Sequence, residues 1–267
     1  MTGKMSRKIF RHVIILLMNS KIEISLEGLN PVVSDRIRFF IGDILKEYAE
    51  NTHSIHIVGS AVTPDFNENT SDINSVIILN KMSLDFIEFL APLGKRYGKK
   101  RIAAPLIMTP EYIQKSLDVF PIEFHDFRLI HKTIAGEDIL KGLQIKKENL
   151  RLQCEREIKA RLVGLIQGYI SSAGDRELIT TLLIRSFTGC IPLFRAIIFL
   201  LGKEPPVMRA DVIGIFQEIA ADSSVYEELM LLRNKQIKPS KSDLDHIFER
   251  YNNSLEKIGK IIDELRA

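Results

Sequence analysis

The sequence predicts an α+β chain: a mixed-sheet domain over residues 30–143, then an all-α helical bundle domain over residues 146–267, with residues 1–29 as an N-terminal extension. Two observations point there. Up to Leu143, short segments rich in β-branched residues alternate with amphipathic helical segments, whereas from Lys146 onward apolar residues recur almost only at helical spacing. The composition agrees: 267 residues with 45% hydrophobic and 27% charged content are enough for two modest cores.

Taken in order, Asn30-Pro31 opens a helix in which Val33, Ile37, Phe40, Ile41, Ile44, Leu45 and Tyr48 form one apolar face. "SIHIVGS" reads as a strand ending at a Gly-Ser turn, and after a polar loop "DINSVIIL" reads as a second strand. "SLDFIEFLAPLGKRYG" is a helix with Ser83 at its N-cap, followed by a basic turn and the strand "AAPLIMT". In "TPEYIQKSL", Thr109 caps and Pro110 takes the first helical position. "DVFPIEFHDFRLIHKTIAG" is expected as one or two strands, with Pro121 at an edge or a strand start. The bundle is expected as helices Lys147–Ser171, Arg176–Leu201, Arg209–Ala220, Val225–Asn234 and Ser242–Leu265. "CIPLFRAIIFLLG" is hydrophobic all round and predicts the buried central helix, kinked near its start by Pro192 and stopped by "GKEPP".

A net charge of +3 gives no reason to expect nucleic acid or an anionic membrane as partner. Cys154 and Cys190 lie on apolar helical segments without CxxC spacing, which suits a reducing cytoplasm. At the start of the chain, the apolar run Val13 to Met18 is shorter than a signal-peptide core, so an untargeted chain is expected; Met18 offers an alternative start.

The chemistry is concentrated in "VGSAVTPDFNENTSDINSVIIL", Val58 to Leu79. Gly59 has no side chain, so a polyphosphate can approach the backbone of the turn closely. Asp72 and Asn74 stand two apart and therefore share one face of a strand, the placement of a metal-holding pair in which two carboxylates would be usual. The combination of Gly59-Ser60, eleven intervening residues, Asp72-Ile73-Asn74 and a later segment carrying Glu123 resembles the pattern of the DNA polymerase β-like nucleotidyltransferase superfamily. It is most similar to the branch of the aminoglycoside adenylyltransferases and minimal nucleotidyltransferases, with "AGEDIL" at Ala135 to Leu140 matching a short segment of those proteins. The match covers residues 30–143 by motif and the remainder by architecture.

This resemblance implies a nucleotide site at Gly59, Ser60 and Ser71, Mg²⁺ held by Asp72 and Glu123, and catalysis by Asp72, Asn74 and Glu123, the last taking the acceptor's proton. It implies ATP as the source of AMP and a hydroxyl on a small molecule or a protein as the acceptor. Asn74 departs from the pattern, since an amide removes one negative charge from the metal site. A catalytically inactive relative that binds a nucleotide or a partner protein is therefore the alternative. A toxin–antitoxin component is a third reading.

Plainer readings stand beside these. Gly59-Ser60 alone is a strand-ending turn, Asn74 a surface residue and Glu123 a structural acid. Asp126 would face away from Glu123 on a regular strand, while Asp65 and Glu68 could restore charge from the loop. The basic run "GKRYGKKR", Gly94 to Arg101, reads as a solvated helix end. His53 and His56 read as structural; His125 and His131 flank the Glu123 segment. Gln153, Arg156 and Lys159 form a stripe that could close over a nucleotide or face solvent.

Overall fold

A computed structural model of the protein describes residues 22–220 and 224–265. The expectations on Val13 to Met18 lie outside the described residues. The chain forms two compact units. Within the described residues the first comprises 22–62, 66–113 and 131–139, and the second 63–65, 114–130 and 140 onward. The fold is α+β, a mixed four-stranded sheet followed by a helical region.

In the first unit, α1 (Pro31–Tyr48) starts where the Asn30 side chain accepts a hydrogen bond from the Val32 N–H. Strand β1 (Thr52–Val58) pairs antiparallel with β2 (Asn74–Leu79), and helix α2 (Leu84–Gly98) begins at the Ser83 cap. Strand β3 (Leu106–Met108) runs parallel to β2. Helix α3 (Pro110–Ser116) follows it, with the Thr109 hydroxyl accepting from the Tyr112 N–H.

One face of the sheet is apolar. Ile55, Ile57, Ile77, Leu79 and Ile134 share a core with Val33, Ile37 and Ile41 of α1 and Phe86 of α2. Alternation along the strands puts Ser54, His56 and Val58 on the other face.

The segment expected as strands divides in two. Pro121–Leu129 is helix α4, and only His131–Gly136 is strand, β4, antiparallel to β1 at the edge of the order β3-β2-β1-β4. "PIEFHDF" alternates apolar and polar residues and so reads as a strand. Its buried residues Pro121, Ile122, Phe124 and His125 nevertheless satisfy a helix docked on the bundle, with Pro121 pre-set for the first turn. The edge of β4 is covered by the end of the expected extension: Ile24 bridges Ala135, and the Ser25 N–H donates to the Ile134 carbonyl.

The second unit adds α5 (Lys147–Ser171), α6 (Arg176–Thr188), α7 (Ile191–Leu200), α8 (Arg209–Ala220), α9 (Val225–Arg233) and α10 (Lys241–Glu264). The single helix expected over 176–201 is two helices, broken at Gly189-Cys190. Pro192 sits in the first turn of α7, where its missing N–H costs nothing. Helix α7 is the buried one, and Phe194 stacks on Phe216 at 3.9 Å between ring centroids. Its one charge, Arg195, is only 6% exposed, and each of its three guanidinium nitrogens donates: to Asp126 of α4 and to the Pro206 and Val207 carbonyls. No single helix among the described residues is long and apolar enough to cross a membrane.

Candidate functional site

The register pairs Val58 with Asn74, so the chain leaves β1 at Gly59 beside the point where β2 begins. Gly59 has φ +70° and opens a 3-10 turn, Gly59–Val62. A Cβ there would meet nothing within 4 Å, so the left-handed backbone, rather than lack of space, is what calls for glycine. Ser60 is half-buried within the turn.

The following loop is ordered by its own polar groups. The Ser71 hydroxyl accepts from the Asn67 N–H at 3.0 Å, the Asn67 carbonyl accepts from the Ser71 N–H at 2.8 Å, and the Asn67 side chain accepts from the Asn69 N–H. Ser71 thus holds the loop in shape. Asp72 and Asn74 are both exposed while Ile73 between them is buried and paired with Ile102, which is the shared face that the two-residue spacing predicts.

Arg101 completes this corner, a place that its position in the basic run, read as a solvated helix end, did not indicate. Its guanidinium lies 3.5 Å from the Asp72 carboxylate and donates to the Thr70 carbonyl, while its own carbonyl accepts from the Ile73 N–H at 2.8 Å. It belongs to the basic run, and its neighbours have local partners as well. Arg96 pairs with Asp43 at 3.1 Å, and Lys100 lies 5.5 Å from the centre of the Phe39 ring. Burial, with the Asp43 hydrogen bond behind it, pushes the Tyr97 hydroxyl up to about 12.

Gly59, Ser60, Ser71, Asp72 and Asn74 are thus brought together on the first unit. Strand β3, Leu106–Met108, contributes no acid. Glu123 belongs to the second unit, where it is exposed in the first turn of α4 rather than on a strand. Its carboxylate accepts from the Gln153 amide at 2.9 Å, and the Gln153 carbonyl oxygen accepts from the Ile122 N–H at 2.8 Å. Gln153 is buried, so it positions Glu123 instead of joining a solvent-facing stripe.

Of the other acids considered, Asp126 and Asp65 are engaged elsewhere. Asp126 is paired with Arg195, and the Asp65 carboxylate accepts from the Arg209 N–H at 2.8 Å, satisfying a donor at the start of α8. His125 packs on Phe199 at 4.9 Å in the second unit, and burial lowers it to about 4. A groove of about 480 Å³ between α5 and α6, floored by Gly164, Gly168 and Leu182, contains none of the candidate residues.

No family model and no curated protein matches the sequence. Among solved structures the chain is similar to spectinomycin adenyltransferase AAD(9) from Enterococcus faecialis, crystallised with ATP and spectinomycin. The TM-score is 0.49 and the identity 14%, over 83% of this chain and 98% of that one.

Proposed function

We propose that the protein binds a nucleoside triphosphate, ATP, at the Gly59-Ser60 turn and Asp72, and transfers its nucleoside monophosphate to a hydroxyl of a small molecule or a protein. The observation that carries this reading is the junction of β1 and β2, where a left-handed glycine turn follows Val58, the partner of Asn74, and Asp72 stands two residues before Asn74 on the same exposed side. Phosphate oxygens suit the backbone N–H groups of such a turn. The Arg101 guanidinium supplies positive charge at the same corner, and its planar fork matches phosphate as well as carboxylate.

The donor set on this unit is one carboxylate and one amide. That fits a single Mg²⁺ arriving with the triphosphate, completed by phosphate and water oxygens, and does not fit a two-ion clamp. Asp72 and the Asn74 amide oxygen would hold it, and when bound it neutralises charge on the phosphates. In transfer, the acceptor hydroxyl oxygen forms a bond to the α-phosphorus as the bond to the bridging oxygen breaks. Pyrophosphate leaves, and the resemblance assigns the acceptor's proton to Glu123.

A second reading, nucleotide binding without transfer, is favoured by Asn74 itself together with the absence of an acid from β3. Calorimetric titration of ATP, with Mg²⁺ and then with EDTA, tests the site. Binding should depend on Mg²⁺ and weaken at least about tenfold in Asp72→Ala, about the loss of one charge-assisted contact. ATP binding that is undetectable, or indifferent to both Mg²⁺ and Asp72, would refute both readings. Asn74→Asp separates them: if it raises pyrophosphate release, the acceptor machinery is intact, and if it raises only affinity, the chain is a binding protein.

A further inference from the structure

The face of the sheet opposite the α1 and α2 core carries a second set of ligating groups, at the same end as the Gly59 turn. The pairing of Val58 with both Asn74 and His131 sets these two residues on either side of β1. His56, two residues before Val58, shares that face. The two imidazoles lie 5.8 Å apart with their planes at 72°, so they meet edge to face rather than stacked.

After β4 the chain turns at Gly136, which has φ +74°, and brings Asp138 back to His131. The Asp138 carboxylate lies 2.8 Å from His131 Nε2. One ligating atom each from His56, His131 and Asp138 all fall within 4.8 Å of one another. Around them the His56 ring is held by two hydroxyls, Ser54 at one nitrogen and Thr133 at the other, at 2.9 and 3.0 Å. Such outer partners orient a metal-binding imidazole. His56 is fully buried and His131 nearly so, whereas Asp138 is partly exposed, which gives an ion a route from solvent.

We propose that His56, His131 and Asp138 bind one divalent transition-metal ion of the zinc class. Two imidazole nitrogens and one carboxylate oxygen make a donor set that suits zinc and is unlike the all-oxygen shell that Mg²⁺ prefers. Three protein ligands leave a fourth position for water or an anion. The ligating atoms of a tetrahedral zinc ion stand about 3.3 Å apart, given bonds of about 2.0 Å. Side-chain rotations of His131 and Asp138, with His56 giving up one hydroxyl partner, close the remaining gap. The proposal does not depend on the nucleotide reading.

The test uses the full chain, stripped with EDTA and titrated with Zn²⁺ by calorimetry, with Co²⁺ absorption reporting the ligand geometry. One ion per chain should bind, with affinity falling at least about tenfold in Asp138→Ala and further in His131→Ala. Exposed Asp138 tolerates substitution, so its variant isolates ligand loss from misfolding, which circular dichroism checks. Asp72→Ala and His246→Ala should retain the ion. The proposal is overturned if no Zn²⁺ binds, if Asp138→Ala and His131→Ala both bind it unchanged, or if Asp72→Ala is the variant that abolishes binding.

Discussion

Two glycines with nearly the same backbone angle should respond very differently to the same substitution, Gly→Ala. Gly59 and Gly136 have φ +70° and +74°. Alanine at either pays the left-handed penalty of about 1–2 kcal/mol, offset in part by the reduced entropy of the unfolded chain, for a net cost of about 1 kcal/mol. At Gly59 that is the whole effect, because a Cβ there meets nothing within 4 Å. At Gly136 the Cβ would stand 2.0 Å from the His53 carbonyl oxygen and 2.8 Å from the Ser54 Cα, both backbone atoms of the paired strand. Backbone in a central strand cannot swing aside, so the end of β4 must leave β1 and give up one or two ladder hydrogen bonds of about 1 kcal/mol each. With the packing lost there, Gly136→Ala should cost about 3–4 kcal/mol against about 1 for Gly59→Ala. At a urea dependence of about 2 kcal/mol per molar, this separates the two unfolding midpoints by about 1 M. Urea unfolding followed by circular dichroism, with amide exchange along β1 to localise the loss, measures the difference. Equal costs for the two variants would show that the close approach of Gly136 to β1 is not as described.

Other consequences concern the buried charge and the buried histidines. Arg195→Met leaves the Asp126 carboxylate and two carbonyls without their donor, which should cost about 3–5 kcal/mol; the double variant with Asp126→Leu should recover much of it. Thermal unfolding reads both, and a single-variant cost below about 1 kcal/mol would contradict a buried ion pair. Burial lowers His56 and His125 from 6.5 to about 4. Between those values the unfolded chain binds more protons, so their contribution to stability is complete above pH 6.5 and is lost as pH falls toward 4. The metal-free protein at pH 5 should therefore be less stable than at pH 8 by about 2 kcal/mol per histidine. His125→Leu should flatten that slope for the second unit, and a urea midpoint unchanged between the two pH values would count against both assignments.

Much of the molecule is written in local periodicity. The helical spacing from Val33 to Tyr48, the β-branched runs of β1 and β2 and the apolar circumference of α7 each specify their element, because the faces they bury are set by residues a few positions apart. The exposed pair Asp72 and Asn74 around buried Ile73 is legible in the same way, from a period of two. Where short-range pattern and long-range packing disagree, packing prevails. "PIEFHDF" alternates like a strand, yet Ile122 and Phe124 are buried in a helix, with the Ile122 N–H anchored by Gln153, 31 residues on. Distant partners leave no local trace at all. Asp126 finds Arg195 69 residues away, and His56 faces Thr133 across 77, because antiparallel pairing of β1 with β4 sets which residues become neighbours. A residue type declares what it can ligate or ionise, but its partners depend on strand register and helix docking, which are free-energy minima of the whole chain.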